Sequence, residues 1–200
     1  MVSLSTELRD RLPLSFYERE TVLVARELLG CYLIHRSPEG ITAGRIVETE
    51  AYLGQTDPAC HSYRGKTERC KTMFGPAGRV YIYLSYGIHY CFNITTDEPG
   101  IPAAVLLRAL EPVEGIALMQ KRRGKNKLVE LCSGPGKLAQ AMGFNLNHDG
   151  CSLFQGIIEV YGGELRTGEE IVTTTRIGIS KAADWPLRFY LSNNPFISRK

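Results

Sequence analysis

The chain predicts an α+β fold: one domain over residues 1–200, with a largely antiparallel curved β-sheet, flanking helices and a protruding β-hairpin. Three observations lead there. Short runs rich in aromatic and β-branched residues recur along the chain, separated by turn residues. Segments with helical patterning end at glycines, where a left-handed residue closes a helix. No repeat, low-complexity tract or evident linker divides the 200 residues, and 44% of them are hydrophobic, enough for a continuous core without disulfides or metals.

The first element, residues 21–29, reads as a helix stopped by Gly30. Strands over 31–35 and 44–52 flank a turn at Pro38-Glu39-Gly40. A polar, basic loop of about twenty residues follows, ending near Phe74–Gly78; a loop so long between strong strand signals suggests function. Residues 80–83 and 88–94 form a hairpin signal, with Gly87 free to take positive φ at the tip. Residues 103–110 make a further apolar strand. Pro112 then opens a helix that runs through Gln120 and stops by Gly124. Ser133 can cap a short helix over 137–142, closed by Gly143. Short strands near 157–161, 171–179 and 187–191 complete the chain.

The formal net charge is only +3, so distribution matters more than the sum. Arg64, Lys66, Arg69, Lys71 and Arg79 face Glu68 alone, and Lys121, Arg122, Arg123, Lys125 and Lys127 form a second cluster. Such runs serve solvated faces and phosphate binding about equally often. The six cysteines show no CxxC and no zinc-like spacing, which points to reduced thiols and no metal. No segment is long and apolar enough to span a membrane, and the N-terminal stretch with Glu7 and Asp10 lacks a signal core. A soluble cytoplasmic protein without a cofactor is expected.

The densest chemistry lies in Glu48-Thr49-Glu50-Ala51-Tyr52, with His61 beyond it. On a strand, Glu48, Glu50 and Tyr52 share one face. Solvated carboxylates on a strand edge are the common outcome for such a pattern, but Ile46 and Val47 argue for burial, and buried carboxylates need partners or a site. Tyr81 and Tyr83 share a strand face, and Tyr81 reads as core. Tyr86 sits at the hairpin tip, where a core residue has little to pack against; beside basic clusters it suggests a wedge between base pairs. Tyr52 and Tyr83 could wall a slot for one planar base. Asn93 can bond a neighbouring backbone group, and Arg108, inside an apolar strand, needs a carboxylate such as Glu50.

GRIVETEAYLG, His61-Ser62, YIYLSYG, Asn93-Ile94, LLRALEP, ELCSGPGKL and PLRFY occur in this order across nearly the whole chain. Together they resemble the alkyladenine (3-methyladenine) DNA glycosylase family. The resemblance implies a general base at Glu50, assisted by Arg108 in holding the attacking water. It implies a base pocket of Tyr52, His61 and Tyr83, with Ala59 and His61 offering backbone contacts. It further implies that Asn93 crowds the guanine amino group, that Tyr86 intercalates, and that Ile177 and Gly178 lie near the catalytic water. A long N-terminal extension of some relatives has no counterpart, which favours a compact bacterial-type enzyme. The resemblance also implies a monomer acting on double-stranded DNA that contains damaged purines. The stretch 97–102 and the basic residues near Arg123 match less well.

Cleaving an N-glycosidic bond develops an oxocarbenium-like sugar that one carboxylate can stabilise while activating water. Alkylation at N3 or N7 makes a purine cationic, so the aromatic slot would favour it by cation–π attraction. No lysine stands in the constellation, so lyase chemistry is not expected. Two rivals remain: a metal-dependent nuclease using Glu48, Glu50 and His61, and a non-catalytic nucleic-acid-binding module.

Overall fold

In the computed structural model, which describes residues 9–199, the long strand β2 (Gly40–Tyr52) organises everything around it. Glu7, part of the N-terminal reading above, lies outside the described residues. The first half of β2 pairs antiparallel with β1 (Tyr32–Ser37), from Ser37↔Gly40 to Tyr32↔Arg45. Its opposite edge carries β5 (Ala103–Glu114), and β5 in turn pairs with β4 (His89–Thr96). β4 forms a hairpin with β3 (Val80–Ser85), and β6 (Ile158–Tyr161) extends the sheet beyond β1. Past the point where β1 ends, β8 (Arg188–Leu191) takes its place on β2, and β7 (Ile171–Thr174) joins β8. The result is one curved, eight-stranded antiparallel sheet, and the α+β expectation holds.

Curvature has a local cause. The β2–β5 ladder breaks register at Ala43/Gly44 and on both sides of Glu48, and such bulges bend a strand and re-aim its side chains. One bulge also explains a departure from the sequence reading. Pro112 does not open a helix; it is a buried β5 residue opposite Gly44, at the irregularity where a missing ladder N–H is tolerated. The helix α3 (Ile116–Arg123) starts only after Gly115, whose φ is +70° and whose added Cβ would stand 2.2 Å from the Ile41 carbonyl oxygen.

Four α-helices flank the sheet among the described residues: α1 (Leu14–Tyr17), α2 (Thr21–Glu27), α3 and α4 (Pro135–Met142). α2 ends in a turn that closes at Gly30, φ +90°, as its glycine predicted. α4 begins with Pro135 in its first turn and Gly134 as its N-cap; Ser133 does not cap it, and accepts instead from Lys137 Nζ at 3.4 Å. The core between sheet and helices is built from Val24, Leu28, Ile46, Val47, Phe92, Leu107, Met119 and Leu138, all inaccessible to solvent. No helix among the described residues is long and apolar enough to cross a membrane.

The second basic cluster is partly structural. Arg122 bonds Glu39 at 2.7 Å, Ser37 Oγ and the Ala141 carbonyl, and Arg123 bonds the Leu131 carbonyl at 3.1 Å, so both guanidinium groups tie α3 to its neighbours.

Candidate active site

Strand alternation places Glu48, Glu50 and Tyr52 on one face of β2, and β5 brings Arg108 against them. Both carboxylates are fully buried, so each must be satisfied by protein groups. They are satisfied differently. Glu48 accepts from Arg108 Nε at 3.0 Å, from Arg188 Nη1 at 2.8 Å, and from Ser198 Oγ at 2.8 Å and its backbone N–H. Two guanidinium groups and a C-terminal serine make it a structural anchor.

Glu50 accepts from the Ile177 N–H at 2.8 Å and from the Tyr52 hydroxyl at 2.9 Å, and lies 3.1 Å from Arg108 Nη1. An ionised carboxylate offers about four acceptor positions, so these three partners leave about one unfilled. Burial lifts the Glu50 carboxyl above the ordinary carboxylate range, opposed by Arg108, the Ile177 N–H and Tyr52. A buried carboxylate with raised basicity and an open acceptor position is suited to take a proton from water.

A cavity of about 500 Å³ lies against this arrangement, within the size range of small-ligand sites. Tyr52, Ala59, His61, Tyr83, Asn93, Tyr86, Arg108, Ile177 and Gly178, all singled out from sequence, line it. Glu50 does not; it sits immediately behind the wall, touched by three residues that do. His61 stands edge-on to Tyr83, with ring centroids 4.5 Å apart and planes at 84°. Burial, with Arg69 nearby, pushes the His61 imidazole down to about 4, so it is neutral at pH 7.

Tyr81 is core, as predicted, yet its hydroxyl also meets His61 Nδ1 at 2.8 Å and holds that ring in place. Asn93 likewise combines two readings. Its amide donates to the Tyr81 and Cys91 carbonyls, at 3.0 and 3.2 Å, which fixes the side chain at the cavity wall.

The β3–β4 hairpin carries Tyr86 outward. Tyr86 is 87% exposed, and its φ of +50° puts a bulky residue in the left-handed region beside Gly87 at +70°. The turn is closed by Ile88 N–H to Ser85 O at 3.0 Å. Neither burial nor backbone preference accounts for a tyrosine there, and strained, exposed positions of this kind cluster at functional sites.

Other parts of the site had no local signal. Arg176 and Asp57 form a fully buried ion pair, with Nη2 to Oδ1 at 2.9 Å and a second bond from Nη1 to Oδ2. Asp57 also accepts from the Leu53 and Ala59 N–H groups, and Arg176 Nη1 from its side reaches the Ala51 carbonyl at 3.0 Å. This pair thus pins the loop bearing Ala59 and the segment bearing Ile177 to the end of β2. It also explains why β7 stops at Thr174 rather than running to 179: Arg176 and Ile177 turn inward to Asp57 and Glu50. The long loop is not structureless either. It holds two short 3₁₀ turns, Gly54–Thr56 and Lys71–Phe74, and buries Cys60, Cys70 and Met73 against Tyr81 and Ala104.

No group of three or more His, Cys, Asp or Glu side chains among the described residues is arranged to hold a metal ion. The nuclease reading needs Glu48 as a ligand, but its charge is already matched by Arg108 and Arg188.

Comparison with known proteins places the chain in one family. The family model of methylpurine-DNA glycosylase matches residues 15–195. A protein of Methanoculleus marisnigri, provisionally named 3-methyladenine DNA glycosylase, is 55% identical over 193 residues, covering 94% of this chain and 99% of its own. Proteins with the same provisional name from Carboxydothermus hydrogenoformans and Chlorobaculum tepidum are each 50% identical over 190 residues, covering 94% of this chain and 99% and 91% of theirs. With the family model and the relatives spanning nearly its whole length, the chain belongs to the methylpurine-DNA glycosylase family.

Proposed function

We propose that this chain is a monofunctional DNA glycosylase. It rotates an alkylated or deaminated purine out of double-stranded DNA into the aromatic cavity and hydrolyses the N-glycosidic bond, leaving an abasic site. The observation that carries this reading is the buried Glu50 carboxylate, held by Arg108, Ile177 and Tyr52 immediately behind the wall of an aromatic-lined cavity of about 500 Å³.

The Tyr86 side chain fills the gap in the base stack, and Tyr52, His61 and Tyr83 enclose the flipped base. A water then occupies the open acceptor position of Glu50 beside Arg108. As the bond between C1′ and the base breaks, its electrons leave with the purine. The water oxygen bonds to C1′, and Glu50 takes the water's proton. A cationic alkylated base departs neutral without further help, whereas a neutral lesion must also gain a proton. Because Glu50 has no exposed surface, substrate binding must shift a wall side chain slightly; such hydrogen bonds often reach working geometry only in the complex. No lysine is among the described residues lining the cavity, which supports simple hydrolysis over lyase chemistry.

The test is base release from duplexes bearing hypoxanthine, ethenoadenine, 3-methyladenine or 7-methylguanine, with EDTA present. Wild type should release free base, with strand breaks only after alkali. Glu50→Gln should bind the same DNA but release base about 10²–10⁴-fold more slowly. Tight DNA binding without release by wild type would favour a binding module, and loss of activity in EDTA would favour the metal-dependent rival.

A further inference from the structure

The aromatic slot is less hospitable to a cationic base than its three rings suggest. Both stacking walls already carry an arginine. The Arg176 guanidinium carbon lies 4.7 Å from the Tyr52 ring centroid, and that of Arg69 lies 5.1 Å from the Tyr83 centroid. A ring that is attracting one cation offers less to a second, which also meets the first charge's repulsion.

The two arginines differ in one respect. Asp57 neutralises Arg176 in a buried ion pair. Arg69 is exposed at the cavity wall, and its sequence neighbour Glu68 pairs with Lys71 at 3.0 Å instead. The other charged side chain lining the cavity is matched internally, since Arg108 faces Glu48 and Glu50, and behind it Arg188 faces Glu48. Among the described residues lining the cavity, Arg69 is therefore the charge with no carboxylate paired to it. Burial first, and Arg69 second, lower the basicity of His61 on the same wall, the direction a cation facing the cavity requires.

We propose that Arg69 is a specificity residue that biases the slot toward uncharged purine lesions, of the hypoxanthine and ethenoadenine kind, and against permanently cationic ones such as 7-methylguanine. The proposal rests on the glycosylase reading and deepens it. It reverses the preference that the aromatic residues alone imply. One unit charge at roughly 8 Å, in an effective dielectric between about 20 and 80, changes relative affinity by about threefold to thirtyfold.

The experiment is single-turnover base release, with enzyme saturating, from matched duplexes carrying either hypoxanthine or 7-methylguanine. Wild type, Arg69→Gln and Arg69→Lys are compared. In Arg69→Gln the ratio of 7-methylguanine to hypoxanthine release should rise about threefold to thirtyfold. Arg69→Lys keeps the charge and should keep the wild-type ratio. In the same Arg69→Gln protein, the His61 imidazole should titrate at higher pH by NMR. An unchanged ratio in Arg69→Gln overturns the proposal, including the case where both rates fall together because Arg69 only grips a phosphate. If wild type releases neither base, the glycosylase reading itself fails.

Discussion

Glu48 and Glu50 stand two residues apart on one strand face, share Arg108, and are both fully buried, yet they should respond very differently to substitution. In Glu48→Gln, Arg188 loses the carboxylate 2.8 Å away, and Arg108 loses one of its two. Removing one partner of a buried ion pair costs about 3–5 kcal/mol, because the remaining charge stays desolvated. At about 2–4 °C per kcal/mol for a chain of this size, the melting temperature should fall by roughly 6–20 °C. Glu50→Gln should be far milder. Ionised Glu50 is disfavoured by burial, so a neutral amide removes a charge that the fold resists, while Arg108 keeps Glu48. There is also a catalytic signature. Glu48 is among the groups that raise the Glu50 basicity, so folded Glu48→Gln should keep its Glu50 ionised to lower pH. Calorimetric melts of both variants and pH–rate profiles of base release on the acid side provide the assay. A Glu48→Gln melting temperature within about 2 °C of wild type, or an acid limb moved to higher pH, would refute the division of labour between these carboxylates.

Two further outcomes follow from the same geometry. Tyr86→Ala should leave the melting temperature unchanged, since the side chain is 87% exposed, but weaken lesion-DNA binding by the one to two orders of magnitude that a stacked aromatic typically contributes; unchanged affinity in a fluorescence titration would return Tyr86 to a surface role. For His61, the folded-state value of about 4 lies below the unfolded value near 6.5, so unfolding takes up a proton between them. Its contribution to stability is complete above pH 6.5 and is lost as pH falls toward 4. His61→Gln should flatten the pH dependence of unfolding by urea in that window, and an identical slope in both proteins would show that His61 does not titrate as the structure implies.

Much of the site was legible wherever the signal is local. A two-residue period fixes which side of β2 bears Glu48, Glu50 and Tyr52, and the placement holds in the structure because the adjoining apolar residues force burial. The hairpin with Tyr86 and Gly87 at its tip is written in turn chemistry, and Gly30 and Gly143 mark helix ends through the positive φ they adopt. Arg108 in an apolar strand required a carboxylate, and it found two. Local rules failed where long-range pairing overrode them. Pro112 obeys the preference for a helix start only until β2 supplies a bulge opposite it. Ser133 resembles a cap, but Pro135 and Gly134 set where the helix begins.

By itself, then, the sequence determined the strand faces, the turns, the apolar positions and the residue types available for chemistry, because each depends on neighbours within a few positions. Tertiary structure alone decided which carboxylate became anchor and which remained with an open acceptor position. It joined Arg176 to Asp57, 119 residues away, and laid Arg69 against Tyr83. Charges acquire partners, and rings acquire neighbours, only when distant segments pack; no local period or propensity encodes those distances.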